Sequence, residues 1–137
     1  MAKKKPETEE QKLLATLLLR MISPLNPLPV QIAEGIYLIR PENIAYIQTA
    51  NREVEIHTLD GKVWRRFDSL TKMEEKLKGD PRFFRSHRSF LVNLYQIEKM
   101  SKKGGSQTWN LHFPGKVAET ADLAVSKKSE FDRLMGL

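Results

Sequence analysis

At 137 residues the chain is long enough for one hydrophobic core and too short for two full domains. Its 23 Lys and Arg against 17 Asp and Glu leave a net charge of +6, a balance that suits a polyanionic partner. The absence of cysteine excludes disulfides, thiolate catalysis and Cys-ligated metals, and no apolar run approaches the roughly 18 residues of a membrane span.

Residues 1–7 are charged and expected to fray. Thr8 and Gln11 have capping-box spacing, and Leu14, Leu17, Leu18 and Met21 then recur at helical spacing until Ser23-Pro24 stops the run. The apolar stripe of this short amphipathic helix is expected to pack on its own domain, with a helix–helix dimer contact or the end of a severed linker as the alternatives. Lysines ahead of Leu13–Leu19 superficially suggest a signal peptide, but Glu7, Glu9, Glu10 and Arg20 interrupt and no cleavage site follows, which favours a cytoplasmic protein. Leu25-Asn26-Pro27-Leu28-Pro29 reads as a linker.

From Val30 the pattern changes to strands: Val30–Ala33, Ile36–Arg40, Ile44–Thr49 and Val54–Leu59 are rich in Ile, Val, Tyr and Thr, with a turn at Asn51-Arg52. Asp60-Gly61 signals a hairpin with residues 62–68 returning. A helix is expected over Leu70–Lys78, ended by Gly79-Asp80-Pro81. Strands resume at Phe90–Asn93, Ile97–Ser101 and Thr108–Phe113, around a Lys102–Ser106 loop. Pro114-Gly115 turns the chain into Lys116–Val125, and Ser126 is placed to cap a last helix through Met135. Many short strands without βαβ alternation predict a mainly β domain: antiparallel strands, one short interior helix, and helices at both termini. The expected division is 1–27, a charged tail, helix and linker, and 28–137, the folded domain.

The segment Arg82–Asn93, RFFRSHRSFLVN, breaks the pattern of an ordinary strand. Period two puts Arg82, Phe84, Ser86 and Arg88 on one face and Phe83, Arg85, His87 and Ser89 on the other, so neither face is purely apolar. A bend or bulge would aim Arg85, His87 or Arg88 outward while Phe83, Phe84, Phe90, Leu91 and Val92 anchor the flanks. Arginine forks held in this way suit phosphate or the O6/N7 edge of guanine; a solvated edge strand with incidental ion pairs is the plainer alternative. Six cations face only Glu98 between residues 82 and 103, a local +5.

FFRSHRSFLVNLYQIEKM resembles the central signature of the LytTR-type DNA-binding domains of bacterial transcription regulators. PENIAYIQTANREVEIHTLDGK is similar to the family's first strands, SLTKMEEKL to its short helix and AVSKKSEF to its closing "VS" plus basic pair, so the resemblance covers about residues 28–134. It implies short strands in several small sheets that reach DNA with loops rather than a recognition helix. It also implies base reading in successive major grooves by Arg88, with Arg85 and His87 beside it, and by Lys127, next to Lys128. Asn51 and Arg52 would approach the backbone or minor groove between them; Lys102 and Lys103 are expected to contact DNA on the ground of the local +5 alone. Arg85 has an alternative as a scaffold ion pair, and Asn93 is read as holding local backbone. The ten residues between Gly115 and Ser126 are more than the family commonly has, which bears on Lys127.

The resemblance implies double-stranded DNA as partner, imperfect direct-repeat sites, and a homodimer on DNA as one possibility. The 27 residues ahead of the domain leave no room for a receiver, so the signal is expected from a separate partner or lost with a truncation. No membrane association and no cofactor are expected. His57, His87 and His112 are isolated, without HExxH or carboxylate spacing, so neither a metal site nor an enzyme is expected. The competing function is a non-catalytic interaction module whose basic face holds an acidic protein.

Overall fold

The computed structural model describes residues 8–22 and 27–137. Helix α1 (Glu9–Ile22) opens with the expected reciprocal box: Thr8 N donates to Gln11 Oε1 at 2.9 Å and Gln11 N to Thr8 Oγ1 at 3.1 Å. Leu13, Leu14, Leu17 and Leu18 remain 45–61% exposed. The expected tail fraying, the Ser23-Pro24 stop and the first linker residues lie outside the described residues.

Three antiparallel sheets follow. Strands β1 (Leu28–Ile32) and β2 (Gly35–Ile39) form a two-stranded ribbon. The linker expected over residues 25–29 therefore ends earlier, because Leu28 and Pro29 belong to β1. A two-stranded ribbon leaves one side of each strand outside any ladder, which is where proline is tolerated. The Pro29 carbonyl accepts from Arg66 at 2.7 Å.

The central sheet has the order β5-β4-β3-β7-β6, from β3 (Ile44–Ala50), β4 (Glu53–Thr58), β5 (Val63–Arg66), β6 (Phe83–His87) and β7 (Phe90–Asn93). The third sheet joins β8 (Lys99–Lys102), β9 (Trp109–His112) and β10 (Ala121–Leu123). Helix α2 (Leu70–Lys76) is capped by Ser69, whose hydroxyl accepts from Lys72 N; it ends two residues before the predicted Lys78, with Leu77 as its C-cap.

Both faces of the central sheet are covered, which explains why Ile44–Ile47 and Phe90–Asn93 are apolar or buried without alternation. On one face Ile47, Val54, Ile56 and Leu91 pack with Leu28, Val30 and Ile39 of the ribbon and Leu70, Met73 and Leu77 of α2. On the other, Tyr46, Phe84, Phe90 and Val92 pack with Leu111, Ala121 and Leu123 of the third sheet and with Phe131. Phe131 belongs to α3 (Lys128–Met135).

Ser126 does not cap that helix. Residues Val125–Lys127 form a 3-10 turn and Lys127 is the N-cap, without a side-chain cap bond. Of the segment Lys116–Val125 only Ala121–Leu123 forms a strand, since residues 116–120 are held elsewhere. Gly115 (φ 72°) brings the chain so close to the β4–β5 turn that a Cβ there would lie 2.7 Å from the Leu59 carbonyl oxygen. Lys116 N then donates to that oxygen at 3.2 Å, and Val117, Ala118 and Glu119 line a small cavity beside His57 and Val63. The long β9–β10 connection is thus accommodated against the central sheet, away from β10.

Candidate nucleic-acid interface

RFFRSHRSFLVN folds as the β6–β7 hairpin with its turn at Arg88-Ser89. The expected bulge is present: Arg85 faces Leu91 and His87 faces Phe90, which leaves Ser86 as the extra residue. The expected anchors are in place, with Phe84, Phe90, Leu91 and Val92 buried and Phe83 half-buried.

Ser86 is fully buried. Its hydroxyl donates to the Asp122 carbonyl at 2.8 Å and its own carbonyl accepts from Ala124 N at 2.9 Å. The bulge therefore spends its freed backbone group on the third sheet, two residues before the turn. Sequence reasoning missed this residue. The available signal was a small hydroxyl side chain in a strand otherwise built of aromatic and basic residues.

Arg85 closes the hairpin from the inside. Its Nε donates to the His87 carbonyl at 3.0 Å, one terminal nitrogen donates to the Arg88 carbonyl, and the other meets Glu74 of α2 at 3.2 Å. His87 Nδ1 accepts from Ser89 N at 3.1 Å, and its ring stands edge-on to Phe90. Arg88 is exposed at the tip, and among the described residues its guanidinium has no hydrogen-bond or ion-pair partner. Asn93, fully buried, donates to the Ile44 carbonyl at 2.9 Å and accepts from Tyr95 N at 3.0 Å, the backbone-holding role expected of it.

Two other turns come to the same end of the sheet. Thr49 N donates to the Ser89 carbonyl at 3.0 Å, so the β3–β4 turn, with Asn51 at φ 58° and Arg52 exposed, lies beside the Arg88 turn. On the other side, the Ala124 N–Ser86 bond leads into the 3-10 turn, where Lys127 N donates to the Ala124 carbonyl at 2.9 Å. Arg52, Arg88 and Lys127 thus sit on three separate elements tied together by backbone hydrogen bonds.

The remaining cations differ in their engagement. Lys128 Nζ contacts both Asp132 carboxylate oxygens at 2.7 and 2.6 Å and lies 5.3 Å from the Trp109 ring centroid. Lys102 Nζ lies 5.7 Å from the same ring, and Lys103 pairs with Asp122 at 3.5 Å. Arg82, part of the local +5 counted in the sequence, is buried in a two-pronged pair with Asp80 at 3.0 and 2.8 Å. Hydrogen bonding to Asp80 raises its pKa further, so this cation belongs to the scaffold.

Away from that end, Tyr46 and His57 stack at 4.2 Å between ring centroids, and among the described residues Tyr46 Oη and His57 Nε2 have no hydrogen-bond partner. Burial pushes the Tyr46 phenol up, aided by Glu119 and Glu55. Burial lowers the His57 pKa, against an opposing pull from Glu55 and Glu119. Among the described residues no three His, Cys, Asp or Glu side chains converge as metal ligands. Nor is any described helix long and apolar enough to cross a membrane.

Residues 34–136 match the model of the LytTr DNA-binding domain family. The sensory transduction protein LytT of Oceanobacillus iheyensis is 31% identical over 114 residues, which cover 82% of this chain and 46% of that protein. Its namesake in Enterococcus faecalis is 32% identical over 73 residues, 53% of this chain and 29% of that one. The chain therefore spans less than half the length of these curated relatives. The LytTr DNA-binding domain of a putative methyl-accepting/DNA response regulator from Bacillus cereus superposes with a TM-score of 0.66 at 22% identity, covering 82% of this chain and 98% of that one. That likeness shows the fold: short antiparallel strands in small sheets with flanking helices. The chain belongs to the LytTR family of DNA-binding domains.

Proposed function

We propose that this domain binds double-stranded DNA sequence-specifically to regulate bacterial transcription, reading bases from loops in successive major grooves. The observation that carries the reading is the unpaired Arg88 guanidinium at the tip of a hairpin whose backbone is fixed from within by Arg85. A preorganised fork of this kind suits two acceptors on one guanine edge. Lys127, half-buried at the start of α3, is proposed as the second reader, with lysine's point charge giving weaker base discrimination than a fork. Arg52, Lys102 and Lys103 neutralise phosphate, and Asn51 beside Arg52 contacts the backbone or minor groove through its neutral amide, which sets register. Arg85, His87 and Lys128 have polar atoms engaged within the protein, so they add charge at the interface and hold the readers in position.

The sites are proposed to be direct repeats in a cytoplasmic setting, with the input signal supplied by another domain or partner. The reaction chemistry is binding alone, with no catalytic step and no cofactor. Selection of bound sites from random duplex DNA tests the reading, together with titration of a selected duplex at several salt concentrations. A recovered motif with a steep fall of log affinity on log salt is expected. Equal binding to poly-glutamate at matched salt would instead favour an acidic-protein module.

A further inference from the structure

Among the described residues, two apolar surfaces of the protomer are left uncovered. On α1, Leu13, Leu14, Leu17 and Leu18 fall within an arc of about 140° at 100° per residue and are 45–61% exposed. On the ribbon, Ile36 and Leu38 share the outer face of β2, opposite Gln31 and Pro29, and are 61% and 53% exposed. Phe67, 77% exposed, extends that face. With Pro29, Gln31, Glu53, Arg65 and Arg66 the ribbon face forms a shallow depression of about 520 Å³. Because both surfaces are bare in the same protomer, neither covers the other.

We propose that α1 of one copy docks on the β1–β2 face of a second copy, reciprocally, to give a two-fold dimer. Area argues for this occupant. At roughly 180 Å² for a fully exposed large apolar side chain, each surface alone offers less than half of the approximately 800 Å² that each partner contributes to a standard interface, whereas the two together come close to it. The reciprocal arrangement uses both surfaces on both copies, the isologous pattern of a closed dimer. The rim itself is locally neutralised, with Arg65 paired to Glu55 at 3.1 Å, Arg66 to Asp68 at 3.2 Å and Glu53 in the same lining, so the contact is an apolar one, with the leucines over Ile36 and Phe67. This dimer does not rest on the DNA reading, since it is an equilibrium of the protein alone.

Sedimentation equilibrium of the full chain is expected to show a concentration-dependent monomer–dimer transition. Leu17→Glu and Phe67→Glu should each shift it at least tenfold toward monomer with the thermal transition retained. The chain has no cysteine, so single cysteines report the geometry directly. An equimolar mixture of Leu17→Cys and Phe67→Cys chains under mild oxidation should give the mixed dimer in several-fold excess over either homodimer. Three results would overturn the proposal: a monomer at all concentrations, preferential Leu17→Cys homodimers, which mean helix-on-helix pairing, or a closed monomer as the main product of the double cysteine chain, which means docking within one copy.

Discussion

Ser86 and Asp122, 36 residues apart, are joined by a 2.8 Å hydrogen bond from the serine hydroxyl to the aspartate carbonyl. The bond crosses from the edge strand of the central sheet to the edge strand of the third sheet. It fixes the Arg88 turn relative to the segment that leads to Lys127. Asp122 also holds Lys103 through its carboxylate, so one residue serves two of the candidate contact groups.

Ser86→Ala removes this bond and leaves the Asp122 carbonyl without its side-chain partner, and is expected to destabilise the fold by about 1–3 kcal/mol. The more informative effect is on recognition. Loss of register between two reading elements should reduce affinity for a specific duplex more than for a random one. Chemical denaturation and paired binding titrations measure the two. An unchanged specific-to-random ratio would mean that the bulge serves stability alone.

Much of the architecture was legible because periodicity reports burial. Ile44–Thr49 and Phe90–Asn93 were readable as strands, and Thr8/Gln11 as a helix start. The errors fell where a distant partner overrides the local preference. Nothing local in residues 116–120 announces their course, which the Gly115–Leu59 approach sets by drawing them to the central sheet. Ser126 looks like a cap, but a 3-10 turn ahead of α3 moves the helix start to Lys128. In the candidate interface the charges were readable and their engagement was not. Arg82, Arg85 and Arg88 are alike in sequence, and only their partners separate a buried ion pair and a backbone clamp from a free fork.

Gly115→Ala tests the packing of the long connection. A methyl group at φ 72° meets both backbone strain and the Leu59 oxygen 2.7 Å away, with no flexible side chain to give way. A loss of about 1–3 kcal/mol is expected in denaturant unfolding. A neutral result would show that residues 114–117 shift freely and are not held by the β4–β5 turn.

Stability should depend on His57 as pH falls. Burial holds its folded pKa below 6.5, so the folded ring stays neutral while the unfolded chain takes up a proton near that value. The unfolded state then binds more protons, and stability present above pH 6.5 is lost progressively as pH falls toward the folded pKa. Melting temperatures between pH 7.5 and 5.5 should drop for the parent protein and drop less for His57→Phe, which keeps a ring against Tyr46. Identical slopes would assign the pH dependence to other groups.

Arg85→Lys separates positioning from charge. Lysine keeps the cation but cannot serve the His87 carbonyl, the Arg88 carbonyl and Glu74 with a planar fork. The fold should survive within about 1.5 kcal/mol, as for loss of one or two half-exposed hydrogen bonds. Specific affinity should fall while random-duplex affinity is nearly retained. Rescue of specificity by the lysine would instead make Arg85 a phosphate contact.

Arg88→Ala is the decisive substitution. The side chain has no hydrogen-bond, ion-pair or ring partner among the described residues, so its removal leaves the Arg85 clamp on the Arg88 carbonyl in place. If the fork reads guanine, the specific site loses roughly 1–3 kcal/mol and preference relaxes at a single base position. A phosphate contact behaves differently: Lys102→Ala, at the end of β8 with its ammonium over Trp109, should weaken specific and random duplexes about equally. Phe84→Ala is the structural control. Its buried ring packs 6.2 Å from Phe131, and truncation should cost about 3–5 kcal/mol of stability. The measurement is the ratio of specific to random affinity at fixed salt for each folded variant. A ratio that stays at the parent value in Arg88→Ala removes Arg88 as the reader, and leaves Lys127 and the Asn51-Arg52 turn as the remaining sources of sequence preference at this end of the sheet.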